Sequence, residues 1–128
     1  MATRVKMPSF GERSTNNLAS ADPKLRQLFN EVIKTMDCTV LCGFRNEADQ
    51  ETAYANGFSK VQWPNSKHNT FPSKAVDVAP WPLDWHDEKS FEILGTFVVT
   101  KAKEMGIGIE WGGTWRFVDK PHYQLKEA

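Results

Sequence analysis

The chain has no excess of charge of either sign and no long apolar run. Sixteen basic and sixteen acidic side chains balance to a formal net charge of zero over 128 residues. Proteins that bind nucleic acid usually carry an excess of Lys and Arg on one face, so this balance argues against a nucleic-acid partner. No window approaches the roughly 18 apolar residues of a transmembrane helix. We therefore expect no membrane insertion.

The chain also has few cysteines and no recognisable secretory signal. The first 14 residues contain no apolar run of the kind a signal peptide needs, so we expect the protein to be made and kept in a cytoplasm unless another agent releases it. Cys38 and Cys42 fall in an apparent strand, where about 3.3 Å per residue separates them by about 13 Å. That is too far for a disulfide, and we interpret both as small buried apolar side chains.

Apolar periodicity predicts the helices. Residues 1–21 show little periodicity and are expected to form an extended lead-in. Asp22 and Pro23 offer an N-cap and a proline at the first helical position. Apolar residues at three- and four-residue steps then predict a helix over 23–36. Two further helices are predicted over 46–57 and 87–105.

Short apolar and partly β-branched stretches predict the strands, over residues 38–44, 75–79, 108–111 and 122–125. Asp77 lies in the second stretch, and its neighbours Val76 and Val78 point to the opposite face. No internal repeat or linker is visible. The pattern indicates one compact α+β domain spanning residues 1–128, with a small antiparallel sheet flanked by about three helices.

Two segments rich in Gly, Pro and Trp contain two of the three histidines. One segment holds His68 and Asp77, and the other holds Asp119 and His122. Catalytic zinc is typically bound by three His or carboxylate ligands, with a fourth position left for water. Spacing alone leaves two interpretations open: three ligands of one zinc ion, or histidines that are ordinary buried or surface side chains.

Several short motifs follow one another along the chain. They are Gly43-Phe44-Arg45 with Gln50, Ser66-Lys67-His68, Ala75-Val76-Asp77, Trp111-Gly112-Gly113 and Asp119-Lys120-Pro121-His122. In this order they resemble the signature of the D-alanyl-D-alanine metallopeptidase (VanY-like) family. The family includes the vancomycin-resistance D,D-peptidases and the phage L-alanyl-D-glutamate endopeptidase endolysins, and the resemblance is strongest to the endolysins. It implies a hedgehog/D,D-peptidase-like fold.

The resemblance also implies roles for individual residues. It implies one zinc ion, with His68, Asp77 and His122 as its ligands. It further implies that Asp119 is the general base and that Arg45 stabilises the negative oxygen that forms when the amide carbonyl is attacked.

Weaker implications concern substrate contacts and support of the ligands. Ser66, Gln50 and Trp111 are expected to bind substrate, and Ser66 could instead hold its own loop. Gln124 stands where the family often has Glu, and it can still support a ligand by accepting a hydrogen bond. The first His and the Asp are separated by eight residues where the family commonly has six, so we expect a reshaped loop rather than a lost ligand.

These implications predict a zinc peptidase that cleaves the stem peptide of bacterial peptidoglycan, as an L-alanyl-D-glutamate endopeptidase endolysin. A D-alanyl-D-alanine carboxypeptidase would use the same ligands and stays open. So does, from another class, a non-catalytic wall-binding or phage structural module. The missing signal fits a phage lysin that collects in the host cytoplasm and acts on the wall after its release through a membrane lesion. We expect a monomer.

Overall fold

The computed structural model describes residues 8–126 and has four helices and four strands within that range. The helices are α1 (Glu12–Ala19), α2 (Pro23–Val32), α3 (Glu47–Ala55) and α4 (Glu88–Met105), and the strands are β1 (Cys38–Cys42), β2 (Ala75–Pro80), β3 (Ile109–Trp111) and β4 (His122–Leu125). Two single turns of 3-10 helix, Lys67–Asn69 and Gly112–Thr114, lie in the connections. The predicted α+β class is confirmed.

The four strands form one antiparallel sheet in the order β1-β2-β4-β3. Asp77 on β2 lies directly opposite His122 on β4, and on its other side it is paired with Cys42 on β1. The register of β1 shifts between Val40 and Cys42, as at a β-bulge. Since directly opposed residues share a face of a sheet, the register brings Cys42, Asp77 and His122 together on one face.

Helices α2 and α4 pack against the opposite face and form the core there. Asp22 caps α2 by accepting a hydrogen bond from the backbone N of Lys24 (2.9 Å), and α4 ends at Gly106, whose φ of 71° is left-handed. Fully or nearly buried apolar residues from both helices and the sheet form one cluster, which includes Leu25, Leu28, Phe29, Val32, Val76, Val78, Leu94, Val98, Ala102 and Tyr123.

The expected extended lead-in is wrong for its described part, because α1 forms there and raises the helix count from about three to four. Polar contacts attach α1 to β1, which lies at the edge of the sheet. Ser14 Oγ accepts from the backbone N of Val40 (3.0 Å), and Asn17 Nδ2 donates to the carbonyl of Val40 (2.9 Å). Such contacts leave no apolar period in the sequence. Residues 1–7 of the lead-in lie outside the described residues.

One predicted helix and one predicted strand extend beyond their observed C-terminal ends. Helix α2 ends at Val32, and the apolar period continues into a turn in which Ile33 is buried. Strand β1 ends at Cys42, before the residues that lead to Arg45. None of the helices within residues 8–126 has both the length and the apolar character needed to cross a membrane.

Candidate active site

His68 is held in a tight turn that fixes the orientation of its ring. Ser66 Oγ accepts a hydrogen bond from the backbone N of His68 (3.1 Å), and Asn69 Oδ1 accepts one from the backbone N of Ser66 (3.0 Å). The ring is almost completely buried, and its Nδ1 lies 2.8 Å from the carbonyl oxygen of Gly43. A carbonyl can only accept, so Nδ1 carries the hydrogen and Nε2 presents its lone pair.

The second imidazole is fixed by Gln124. Gln124 Nε2 donates to Glu110 Oε2 (2.9 Å), which places its Oε1 against His122 Nε2 (2.9 Å). His122 Nε2 is therefore the donor, and its Nδ1 is left with a free lone pair. The supporting contact expected of Gln124 is present in this form.

The two free lone pairs converge on one carboxylate oxygen. His68 Nε2 and His122 Nδ1 each lie 3.3 Å from Asp77 Oδ1. Within residues 8–126, the buried atoms His68 Nε2 and Asp77 Oδ1 have no hydrogen-bond partner. Nitrogen and oxygen ligands at 2.0–2.1 Å from a tetrahedral zinc ion are about 3.3 Å apart. The three side chains therefore have the donor types of a zinc site, and both distances to Asp77 Oδ1 match the spacing of zinc ligands.

Cys42 also borders His68 and Asp77. Its Sγ is 3.9 Å from His68 Nδ1, and Cys42, His68 and Asp77 form a group that could hold a metal ion. The interpretation of Cys42 as a buried apolar side chain is wrong, because it is partly exposed and borders the site. Cys38 is buried as predicted, and both cysteines are free.

Electrostatics around Asp77 favour a positive charge. Burial alone would raise the pKa of Asp77, but contacts with His122 and His68 outweigh burial and hold this pKa far below its usual range. Burial alone would lower the pKa of His68, but the Asp77 carboxylate raises it well above the usual value. Burial raises the pKa of Asp119, and the nearby Asp77 carboxylate raises it further. A proton or a metal ion between Asp77 and the histidines satisfies the same preference.

Arg45 borders the cluster from the connection between β1 and α3. Its Nη2 lies 3.4 Å from Asp77 Oδ2, and its Nη1 donates to Gln50 Oε1 (3.1 Å). Gln50 has none of its surface exposed. The expected contact between Gln50 and substrate is therefore wrong for this structure, in which Gln50 touches Arg45 instead.

Asp119 is placed by the 3-10 turn that follows β3. Its backbone N donates to the carbonyl of Gly112 (2.9 Å), and its own carbonyl accepts from the backbone N of His122 (3.1 Å). A Cβ atom on Gly112 would collide with the backbone of Asp119. Glycine at position 112 therefore permits the close approach that brings Asp119 to the site.

Trp111 does not line the groove, contrary to the expectation of a substrate contact. Its ring packs against the core, stacked on Tyr123 with ring centroids 6.4 Å apart. A Cβ atom on either Gly95 or Gly113 would collide with this ring. The indole Nε1 donates to the carbonyl of Lys120 (2.7 Å). Trp111 therefore stabilises the segment between β3 and β4 that contains Asp119.

An open groove of about 960 Å³ runs over the cluster. Arg45, His68, Asp77 and His122 line it together with Ser66 and Asp119. Its walls include aromatic residues to which the sequence assigned no site role: Phe58, Trp85, Trp115 and Phe117. Their one signal in the sequence is the large number of aromatic residues, five Trp and eight Phe. A groove of this size can take an extended peptide.

Two histidines and one aspartate meet in an open groove, an arrangement of the kind that holds a metal ion in hydrolases. The model of the phage L-alanyl-D-glutamate peptidase family matches residues 7–126. The chain belongs to this family, and it is a peptidase of bacterial peptidoglycan.

Solved structures agree with the family assignment. Seven solved chains match, among them the crystal structure of the Serratia marcescens L-Ala D-Glu endopeptidase ChiX. That structure has a TM-score of 0.78 and 28% sequence identity, and the match covers 93% of this chain and 91% of that chain. No curated protein sequence matches the chain. The predicted fold and enzyme class are confirmed.

Proposed function

We propose that this chain hydrolyses the bond between L-alanine and D-glutamate in the peptidoglycan stem, using one zinc ion held by His68, Asp77 and His122. The observation that carries the proposal is the convergence of His68 Nε2 and His122 Nδ1 on Asp77 Oδ1, each at 3.3 Å. In each imidazole the other nitrogen is already hydrogen-bonded, which is the usual arrangement of histidines that bind a metal.

His122 is a better third ligand than Cys42. A metal bound through Cys42 Sγ and His68 Nδ1 would have to replace the hydrogen bond between Nδ1 and the carbonyl of Gly43 (2.8 Å). Ligation through His68 Nε2 keeps that bond and uses the atom that lacks a partner. Two neutral imidazoles and one carboxylate also leave the site with about one positive charge. When bound, the ion supplies Lewis-acid chemistry that polarises a carbonyl and acidifies water.

Asp119 is the proposed general base. Its carboxylate lines the groove beside His122, where it can take a proton from the attacking water. A new C–O bond forms at the L-alanine carbonyl carbon, and the C–N bond to D-glutamate breaks. The same carboxyl group then returns the proton to the departing amine nitrogen. Positioned proton transfer of this kind contributes about 10²- to 10⁴-fold.

Arg45 is the proposed stabiliser of the carbonyl oxygen as it becomes negative. The guanidinium lines the groove and is always charged. A fixed cation aimed at a developing oxyanion is often among the larger contributions to catalysis. Three lysines, Lys60, Lys67 and Lys120, also line the groove and suit a stem peptide that carries several carboxylates.

Digestion of purified muropeptides tests the bond assignment. Mass spectrometry should find products with a free amino terminus on D-glutamate. Loss of a single terminal alanine would instead identify a D-alanyl-D-alanine carboxypeptidase. Unchanged muropeptides, with wall binding retained and zinc present, would favour a non-catalytic module.

A further inference from the structure

Gln50 uses its full hydrogen-bonding capacity inside the protein. Its Oε1 accepts from Arg45 Nη1 (3.1 Å) and from Asn69 Nδ2 (3.0 Å). Its Nε2 donates to Ser59 Oγ (2.8 Å) and to the carbonyl of Val61 (2.7 Å). Because a carbonyl only accepts, the contact with Val61 fixes the amide orientation and directs Oε1 towards Arg45.

This side chain is an unusual anchor for a helix. Helix α3 is Glu47–Ala55, and Gln50 is its one buried residue. An apolar side chain at this position would pack without needing four polar partners, whereas a buried amide is costly unless all its hydrogen bonds are made. The buried glutamine therefore suggests a task other than core packing.

Arg45 is held at both its backbone and its side chain. Its backbone N donates to the carbonyl of His68 (2.8 Å), and its carbonyl accepts from Asn69 Nδ2 (3.1 Å). Gln50 holds Nη1, while Nη2 lies 3.4 Å from Asp77 Oδ2. Without the hydrogen bond from Nη1 to Gln50, attraction between the guanidinium and the half-buried carboxylate would draw Arg45 into a closer ion pair with Asp77.

We propose that Gln50 is a positioning residue that keeps the Arg45 guanidinium directed at the scissile carbonyl and away from a full ion pair with Asp77. The same amide also binds Ser59 and Val61, which line one wall of the groove. Gln50 thus links Ser59 and Val61 in the groove wall to the guanidinium of Arg45. The inference rests on the proposed function, in which Arg45 acts on the substrate carbonyl.

A double-mutant cycle between Gln50 and Arg45 tests the inference in the full-length, zinc-loaded protein. Gln50→Met keeps the length of the side chain and removes the hydrogen bonds. We expect kcat on a muropeptide to fall about 10- to 100-fold, by analogy with the loss typical when a partner that orients a metal ligand is removed. KM and zinc content should change less than about threefold. In the Arg45→Ala background the same substitution should change kcat less than about threefold.

Two further variants complete the design. Gln27→Met makes the same change on an exposed residue of α2 and should leave kcat unchanged. Gln50→Glu keeps an acceptor oxygen for Arg45, so it should recover at least part of the kcat that Gln50→Met loses. Gln50→Leu also removes the hydrogen bonds and can replace the methionine variant in the cycle if that variant is unstable.

The outcomes separate the inference from the proposal on which it rests. A Gln50→Met effect of equal size with and without Arg45, or one confined to KM, overturns the positioning role and leaves the proposed function intact. Near-normal kcat in Arg45→Ala alone overturns the role proposed for Arg45, and the inference about Gln50 with it.

Discussion

At the scale of single residues, the site depends on which nitrogen each histidine presents. A backbone carbonyl at Gly43 and a side-chain amide at Gln124 each take one ring N–H, leaving His68 Nε2 and His122 Nδ1 to face Asp77. The sequence motifs predicted these three residues, but only the folded chain could specify the ring nitrogens. Glutamine at position 124 serves as well as glutamate for this purpose, because only an acceptor is needed.

Zinc content should distinguish the two candidates for the third ligand. His122→Ala removes a proposed ligand and should reduce zinc from about one per chain to below about 0.2, with loss of activity. Cys42→Ser should keep about one zinc per chain, because the thiol lies on the Nδ1 side of His68. Elemental analysis after gentle purification measures both variants. If Cys42→Ser lost zinc and His122→Ala retained it, Cys42 rather than His122 would be the third ligand.

Asp119→Asn should separate proton transfer from metal binding. The amide fills the same space but cannot take a proton, so kcat should fall about 10²- to 10⁴-fold with zinc retained. Single-turnover hydrolysis of a muropeptide, together with metal analysis, provides the measurement. Hydrolysis within about threefold of the wild-type rate would remove Asp119 from the mechanism.

At the scale of elements, short connections between strands position the side chains of the site. The turn Gly112–Thr114 brings Asp119 against a glycine, and Gly95 and Gly113 accommodate the ring of Trp111. The sequence displays the Trp-Gly-Gly motif, but it could not show that Gly95, in the preceding helix α4, leaves the space that the Trp111 ring occupies. For this reason the sequence predicts a groove residue at Trp111, whereas its ring packs against the core.

Substitution of Gly112 should displace Asp119. In Gly112→Ala the new methyl group would meet the backbone of Asp119, so we expect kcat to fall about tenfold or more while zinc is retained. Gly108→Ala is a matched control, since its Cβ would only touch Lys126 at an ordinary 3.5 Å. Equal kcat values for the two variants would show that the position of Asp119 does not depend on this contact.

The start of α2 should contribute a pH-dependent part of stability. Burial would raise the pKa of Asp22, but hydrogen bonds from Lys74 Nζ (2.7 Å) and the backbone N of Lys24 lower it below its ordinary value of 3.8. The unfolded chain then binds the proton more readily. The contribution of Asp22 to the free energy of unfolding is complete above about pH 4. It is lost as the pH falls through the lowered pKa of Asp22.

Asp22→Asn keeps an N-cap and removes the ion pair with Lys74. At neutral pH its free energy of unfolding should be lower than that of the wild type by roughly 0.5–1 kcal/mol, because Lys74 is half exposed and the pair is screened by solvent. The difference should shrink as the pH falls towards 3 in urea denaturation series. A difference that stays constant over this range would show that the carboxylate is not responsible.

At the scale of the whole molecule, the sheet brings distant parts of the sequence together. Apolar periods and turn residues predicted the α+β class and all four strands, because they reflect burial on one side of each element. They missed α1, which is attached through Ser14 and Asn17, and they missed the aromatic walls of the groove. Both depend on contacts between residues far apart in sequence, which a local pattern does not record.

Zinc should stabilise the folded chain as a whole. The three proposed ligands lie in separate segments that come together only in the native state, so zinc at 100 times its Kd should stabilise the fold by about 2.7 kcal/mol. Thermal unfolding with a chelator and with added zinc measures this effect, with His122→Ala as the control that should show no shift. An equal zinc-dependent rise in Tm for His122→Ala would place the bound metal elsewhere.

The account depends most on where the metal binds, and a crystal structure of the zinc-loaded protein with anomalous data at the zinc edge measures this directly. We predict one anomalous peak about 2.0–2.2 Å from His68 Nε2, Asp77 Oδ1 and His122 Nδ1. A peak on Cys42 Sγ and His68 Nδ1, or no peak at these three residues in protein that hydrolyses muropeptides, would contradict it.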